Sequence, residues 1–374
     1  MILRPDEGGA FEHVTQLSAG IARRGHDVAI CGLEGRRGED FGAAIAAEVE
    51  VLPVKMTRPV SVGPDARALA GLLAAQRAFR PDLVHAHGSK EAALGRLARP
   101  LRPRVPFAYT PHGYAFAKPF MSAGEHRAYR LFERMLAPLA TRVICICEAE
   151  RRLAAEVGPA TRTRVVYNGI EPPPPGPPHR EVERLRVHGP VVCALSGLRA
   201  GKGLETLIGA FAAVTARRPN ASLVIAGEGP ERDPLERLAR ELGIDRAVHL
   251  IGEVADVFPV LRAADLFVHP SWAESFPYAV LEAMAAGTPL IATDVGGTRE
   301  AVVVAESGLL VAPRDESALS EAVLSLLADR DRARALADCG SRRFRQRFTL
   351  ARMVEGTLET YAELGIEPAQ ALTR

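Results

Sequence analysis

The chain has 374 residues, enough for two domains, and 47% apolar with 25% charged residues excludes a mostly disordered protein. The net charge of +2 divides unevenly: residues 1–171 carry 24 Lys and Arg against 18 Asp and Glu, and residues 172–374 carry 23 against 27. A basic first half suits an acidic neighbour such as an anionic membrane, or reflects drift in a composition where only four cations are lysine.

Met1-Ile-Leu-Arg-Pro5 leads directly to Asp6-Glu7-Gly8-Gly9, so only Met1–Leu3 remain for the first strand of a doubly wound domain. Either that central strand is very short or the sequence begins at a late start codon. Phe11, Val14, Leu17, Ile21 and Ala22 recur at helical spacing up to a stop at Gly25. Strands are predicted at 28–31 and 49–54, a helix at 64–79, and a strand at 83–87 ending on His87. Gly88-Ser89-Lys90 opens a helix at 91–99, and a strand at 105–109 runs into Thr110-Pro-His112-Gly113. Helix 122–139, strand 142–147 and helix 148–157 complete this half. Proline crowds residues 171–178 and forbids helix or interior strand, so 172–190 reads as a linker.

The alternation then restarts. Strands are predicted at 191–196, 223–226, 248–252, 264–270, 290–292 and 308–311. Between them fall helices at 204–216, 232–242, 257–263, 298–303 and 316–328. One more helix carries Ala279, Val280, Ala283, Met284 and Ala286, with Ser275 as its N-cap, Pro277 in its first turn and Gly287 as its stop. The fold class is α/β: two Rossmann-like domains, 1–171 and 191–345, their strand ends facing one cleft, with a long helical tail read over 330–364 packing back on the first domain and the returning segment bounded at 346–374. The five cysteines have no disulfide or metal spacing and read as buried thiols. No apolar run has the length of a membrane span and no signal peptide is present, which predicts a cytoplasmic protein, soluble or peripheral at the inner membrane face.

Chemistry concentrates in the second half. Glu274 is placed just before a helix and Glu282 two turns along it. Gly197-Leu-Arg199-Ala-Gly201-Lys202-Gly203 sets two cations among glycines at a helix start, a pattern suited to phosphate, or equally a flexible loop with solvated cations. A nucleotide-triphosphatase loop is excluded, being one residue short and having Gly203 where a hydroxyl must hold magnesium. Gly296-Gly297-Thr298 forms a second nest of N–H groups. Glu282 suits a ribose diol and Glu274 sugar hydroxyls or a developing positive charge, unless Glu282 is merely solvated. His87 ends a strand and His112 follows one, where a histidine is structural or aimed at a ligand. Asp329-Arg330-Asp331 reads as capping and solvation rather than a metal site.

Glu274-Ser-Phe-Pro-Tyr-Ala-Val-Leu-Glu282 is a Glu-x7-Glu motif. Together with Gly201-Lys202-Gly203, Gly227-Glu-Gly229-Pro230, Asn168-Gly169-Ile170, Gly296-Gly297 and Gly8-Gly9, it resembles the retaining GT-B glycosyltransferases of family 4, from about residue 5 to 350. The resemblance implies that Arg199 and Lys202 neutralise the diphosphate of a nucleotide sugar, so that no metal is needed, and that Glu282 binds the ribose. It implies that Glu274 and the amides near Phe276 and Pro277 hold the donor sugar, with Gly8, Gly9, Gly197, Gly227, Gly296 and Gly297 around the donor. His112 would lie under the transferred sugar, and retention would follow front-face attack without an enzyme nucleophile. The sequence departs from the pattern at the short first strand, at Leu198, where many members have the phosphate arginine, and at Pro277, where glycine is usual.

His87, Ser89, Lys90, Tyr114 and Phe116 are expected on the acceptor side. The helix over 125–136 carries His126, Arg127, Arg130 and Arg134 beside Leu131, Phe132 and Met135, so it either faces a core or touches a bilayer. The expected activity is transfer from an NDP-sugar, UDP foremost, to a glycan or lipid-linked acceptor of surface polysaccharide, with no cofactor and no nucleic acid. An epimerase of similar architecture and a non-catalytic glycan-assembly protein are the alternatives.

Overall fold

The computed structural model describes residues 1–2, 8–32, 48–57, 60–117 and 121–367. Leu3, Asp6 and Glu7 lie outside them. The chain divides into two compact units, Met1–Gly169 with Leu350–Arg374, and Ile170–Thr349.

In the first unit, β1 (Val28–Cys31) pairs with β2 (Val49–Leu52), and β3 (Val84–His87), β4 (Phe107–Thr110), β5 (Arg142–Cys145) and β6 (Thr163–Val165) pair in order, all parallel. Ile2 joins the two sets through bridges to Cys31 and Ala86. Its N–H donates to the His85 carbonyl at 2.9 Å and its carbonyl accepts from the His87 N–H at 3.0 Å. The short central strand expected from the sequence is thus represented by this one residue among the described ones. Side chains alternate across the sheet with period two. Val28 and Ile30 meet a core with Val14, Leu17, Met353 and Val354 on one face, while Cys31, Val84 and Ala86 join Leu72, Phe107 and Tyr109 on the other. The first face is covered by α1 (Gly9–Ala22) and by α14, described below. The second is covered by α2 (Val62–Phe79), α3 (Ser89–Ala98) and the more peripheral α4 (Ala123–Leu136) and α5 (Glu148–Val157).

In the second unit six parallel strands run β12-β11-β10-β7-β8-β9. They are β7 (Val191–Leu195), β8 (Ser222–Ala226), β9 (Val248–Gly252), β10 (Leu266–His269), β11 (Leu290–Thr293) and β12 (Leu309–Val311). The order is that of a doubly wound dinucleotide-binding sheet, with its switch point between β7 and β10. β7, β8 and β10 are buried from end to end or nearly so, as both faces are covered. α7 (Leu204–Arg217) and α12 (Glu316–Ala328) close one face over Val192, Ala194, Leu223, Ile225 and Val268.

Three expectations need correction. Residues 180–188 within the predicted linker form α6 (Arg180–His188), which buries Val182 completely and Leu185 in part but leaves Val187 82% exposed, so only a short apolar stripe announces it. The predicted tail is two helices: α13 (Arg330–Arg347) packs on α10 (Tyr278–Ala286) in the second unit, and only α14 (Leu350–Ala362) lies on α1 in the first. Pro277, not Ser275, is the N-cap of α10, so Glu282 sits one turn into the helix rather than two. Gly287 ends it at φ 71°, the left-handed conformation a C-terminal glycine supplies. Asp329 caps α13 by accepting from the Arg332 N–H at 2.9 Å, as its reading as a cap requires. Among the described residues no helix is long and apolar enough to cross a membrane.

Candidate functional site

The loops leaving β7 and β10 meet at the switch point of the second unit. The Trp272 N–H donates to the Gly201 carbonyl at 2.9 Å, and Gly203, at φ 68°, has its α-carbon so close to the Pro270 carbonyl that a Cβ would collide with it. This contact brings Lys202 to Glu274: the ammonium donates to Oε1 at 2.6 Å. The Ser271 hydroxyl donates to the same oxygen at 2.9 Å, and His269 Nε2 stands 3.5 Å away. His269 is buried and neither ring nitrogen has a hydrogen-bond partner among the described residues. Burial pushes the Glu274 carboxyl up, but the neighbouring His269 imidazole and Lys202 ammonium outweigh it and hold the group at about 2. Glu274 is therefore an anion at neutral pH, locked to a cation.

The next loop locks on in turn. The Gly297 N–H donates to the Ser275 carbonyl at 2.7 Å, and Gly296, at φ 51°, lies so near the Glu274 carbonyl that no side chain fits. Gly296 is exposed and Gly297 buried ahead of α11 (Thr298–Ala301). Phe276 is buried with its ring 5.5 Å from that of Phe348, and Pro277 is buried beside it. Gly227 follows β8 and packs its α-carbon on the Ser196 carbonyl. Gly197 and Arg199 are exposed in the β7 loop, and Glu282 is half-buried on α10. Lys202, Glu274, Gly296 and Gly297 thus belong to one connected set of loops, with Gly197, Arg199 and Gly227 on its neighbours.

The first unit builds its own cluster. His85 and His87 alternate with Val84 and Ala86, so both point to the face under α1 and α14. There His13 of α1 lies with its ring 5.4 Å from His87 and 4.7 Å from His112. His87 Nδ1 is 3.1 Å from His112 Nε2, and His13 Nδ1 is 3.0 Å from Asn168 Oδ1. His85 is held by the Tyr361 hydroxyl at 2.6 Å and the Thr110 hydroxyl at 2.8 Å. Burial pulls His13 down to about 4, opposed by its Asn168 hydrogen bond. Burial, then repulsion among the imidazoles, holds His85, His87 and His112 well below the ordinary range, so all four are neutral at pH 7. His112 is left-handed at φ 54°, unusual for a residue with a side chain. Glu150, at the start of α5, secures that turn: its carboxylate accepts from the Gly113 N–H at 2.6 Å and the Ile146 N–H at 2.9 Å. Burial pushes this carboxyl up to about 7, the two N–H donors opposing. Gly8 is the N-cap of α1 at φ 106°, its carbonyl accepting from Phe11 and Glu12, and Gly9 is the first helical residue.

The predicted acceptor-side residues fare unevenly. Tyr114 and Phe116 are 2% and 1% exposed in the core, their rings tilted against each other at 4.9 Å and beside Tyr109, so they line no surface. Lys90 is paired with Asp65 at 2.7 Å and donates to the Thr57 carbonyl at 2.6 Å. Ser89 is half-buried near the Tyr109 hydroxyl, and His87 is fully buried within the histidine cluster. On α4 Leu136 is buried, but Leu131 is 60%, Phe132 44% and Met135 69% exposed, so these three do not face the core. Sequence patterns missed His13, Glu150, His269 and Ser271. His13 breaks an otherwise apolar helix stripe, a signal available beforehand; the other three depend on tertiary placement.

Family models match across both units: "Glycosyl transferase 4-like domain" over residues 8–169 and "Glycosyl transferases group 1" over residues 177–343. A D-inositol 3-phosphate glycosyltransferase of Nocardia farcinica is 31% identical over 96% of this chain and 85% of the relative. A glycogen synthase of Mycobacterium tuberculosis is 28% identical over 95% of this chain and 91% of its own. The solved structure of Anabaena Alr3699/HepE in complex with UDP superposes with a TM-score of 0.79 at 24% identity, covering 97% of this chain and 98% of the other. Two doubly wound units with these likenesses define a GT-B enzyme that transfers a glycosyl group. The chain belongs to the family-4 glycosyltransferases.

Proposed function

We propose that the chain moves a sugar from an NDP-sugar, with UDP the leading nucleotide, to a glycan or lipid-linked acceptor of surface polysaccharide. In this reading the product retains the donor's anomeric configuration and transfer requires no metal. The Lys202–Glu274 pair at the switch point carries the proposal. A sheet of this order takes ligands at that position, and glycine-lined loops let backbone N–H groups approach phosphate. The UDP bound by the Anabaena neighbour supports the choice of nucleotide.

The charges then have defined work. Lys202, with Arg199 beside it, stabilises the diphosphate as it leaves, in the place a metal occupies elsewhere. Glu274 orients Lys202 before the donor arrives, and offers its remaining acceptor capacity to sugar hydroxyls. Glu282, one turn into α10, takes the ribose diol, and exposed Gly296 lies toward the donor, while the Gly297 and Thr298 N–H groups are held by the Ser275 and Val295 carbonyls. His112, neutral and fixed by Glu150, accepts a hydrogen bond from the transferred sugar rather than repelling a developing positive charge. The acceptor attacks from the face the diphosphate leaves, and the leaving phosphate takes the proton.

The test is a screen of UDP-, GDP- and ADP-sugars for turnover, with product stereochemistry read by NMR and metal removed by chelation. Lys202→Ala is expected to lower kcat/KM by about 10²–10³, the usual loss of one charge-stabilising donor. A wild type that turns over no donor, or a Lys202→Ala variant that matches it, ends this reading. Recovery of an epimerised NDP-sugar without acceptor would identify the epimerase instead.

A further inference from the structure

We propose that His13, His87 and His112 form a site for Zn2+ or a similar imidazole-binding divalent ion, and that its occupancy inhibits the enzyme by engaging His112. The inhibitory part rests on the reading that His112 serves the transferred sugar; the metal site does not. Three elements bring the rings together: α1, the end of β3 and the turn after β4. One nitrogen from each ring lies within 4.8 Å of the other two. Zinc–nitrogen bonds of 2.0–2.1 Å in a tetrahedron set ligand nitrogens about 3.3 Å apart, so no separation need close by more than about 1.5 Å on binding.

Two details indicate a site open to a ligand rather than a saturated core. His87 Nε2 is buried with no hydrogen-bond partner among the described residues. His13 Nδ1 faces the Asn168 amide oxygen, which only accepts, so that ring keeps its proton on Nδ1 and leaves the Nε2 lone pair unprotonated. An oxygen fixing the far nitrogen in this way is the usual support of a metal-binding imidazole. His85, by contrast, has both nitrogens engaged by hydroxyls, which leaves three ligands and a fourth position for water. Imidazole ligands of this kind favour zinc, copper and nickel over magnesium or calcium. The ion would occupy a lone pair of His112 and draw it away from any other partner.

The experiment uses the full chain without a histidine tag. Co2+ is titrated while visible absorption is followed, and Zn2+ is titrated by calorimetry. The expected result is one ion per chain with the spectrum of a four-coordinate, nitrogen-ligated cobalt, and at least tenfold weaker binding in both His13→Gln and His87→Gln, each checked for an unchanged melt. Donor turnover is expected to fall with Zn2+, to return with EDTA, and to need at least tenfold more Zn2+ in His13→Gln. Absent Co2+ binding, or equal binding by wild type and both variants, overturns the site. Co2+ binding without Zn2+ inhibition of an active wild type overturns the inhibitory role. If no donor is turned over but Co2+ binds and is lost with His13, the site stands and the function proposed above falls.

Discussion

Glu150 shows how one side chain connects chemistry to stability. It is 2% exposed, yet its carboxylate serves two strand-end turns, including the strained one that carries His112. Its pKa rises from 4.5 to about 7, so the folded protein binds a proton that the unfolded chain has already released. The group's stabilising contribution is complete below pH 4.5 and is lost as pH climbs through 7. That shift corresponds to about 3 kcal/mol. Glu150→Gln removes the titration, so the stability of wild type relative to the variant should fall by about 3 kcal/mol between pH 4.5 and 8, measured by urea unfolding. A difference that stays flat with pH contradicts the assignment. Little of this was visible in the sequence, where Glu150 is one acid among several in a predicted helix. Lys202, Glu274 and Glu282 were visible because local glycines, the helix start and the seven-residue spacing are properties of contiguous chain. Their partners Ser271 and His269 lie in a stretch whose apolar pattern reads only as a strand, and His13, His87 and His112 converge from three elements.

At the scale of elements, period and punctuation located most helices within a few residues. α5, β9 and α12 fall on their predicted bounds. The pattern failed where burial is slight, as in α6, and where a continuous helical signal hid a break, as between α13 and α14. The return of α14 leaves a specific packing signature. Gly20 of α1 faces Val354, and a Cβ at Gly20 would approach Val354 Cγ2 to 2.5 Å. Gly20→Ala gains about 1 kcal/mol of helix propensity but incurs about 1–3 kcal/mol of overpacking. A net loss of about 1 kcal/mol is expected. In a Val354→Ala background the same substitution should be neutral or stabilising. A double-mutant cycle by chemical unfolding checks this, and equal effects in both backgrounds would show that the contact is not the cause.

At the scale of the molecule, charge and apolar exposure coincide on the basic N-terminal half. On α4, Ala128, Leu131, Phe132 and Met135 follow helical spacing on the exposed side, with Arg127 and Arg134 exposed among them. An apolar stripe edged by arginine suits the boundary of an anionic bilayer, where a lipid-linked acceptor would be met. Co-sedimentation with phosphatidylserine vesicles is expected at low salt and should be lost at high salt. A Leu131→Ser/Met135→Ser variant should bind at least tenfold more weakly while retaining donor turnover. Failure of the wild type to sediment at low salt would exclude this surface.

The glycine contacts at the switch point have a thermodynamic consequence. Gly203 on Pro270 and Gly296 on Glu274 fix one loop to the next through backbone alone. These loops have already surrendered their freedom when the protein folds, so an arriving ligand pays little further ordering entropy. Its affinity can then follow the polar contacts it makes, and natural variation in specificity must fall on the side chains those loops display, since their paths admit no alternative.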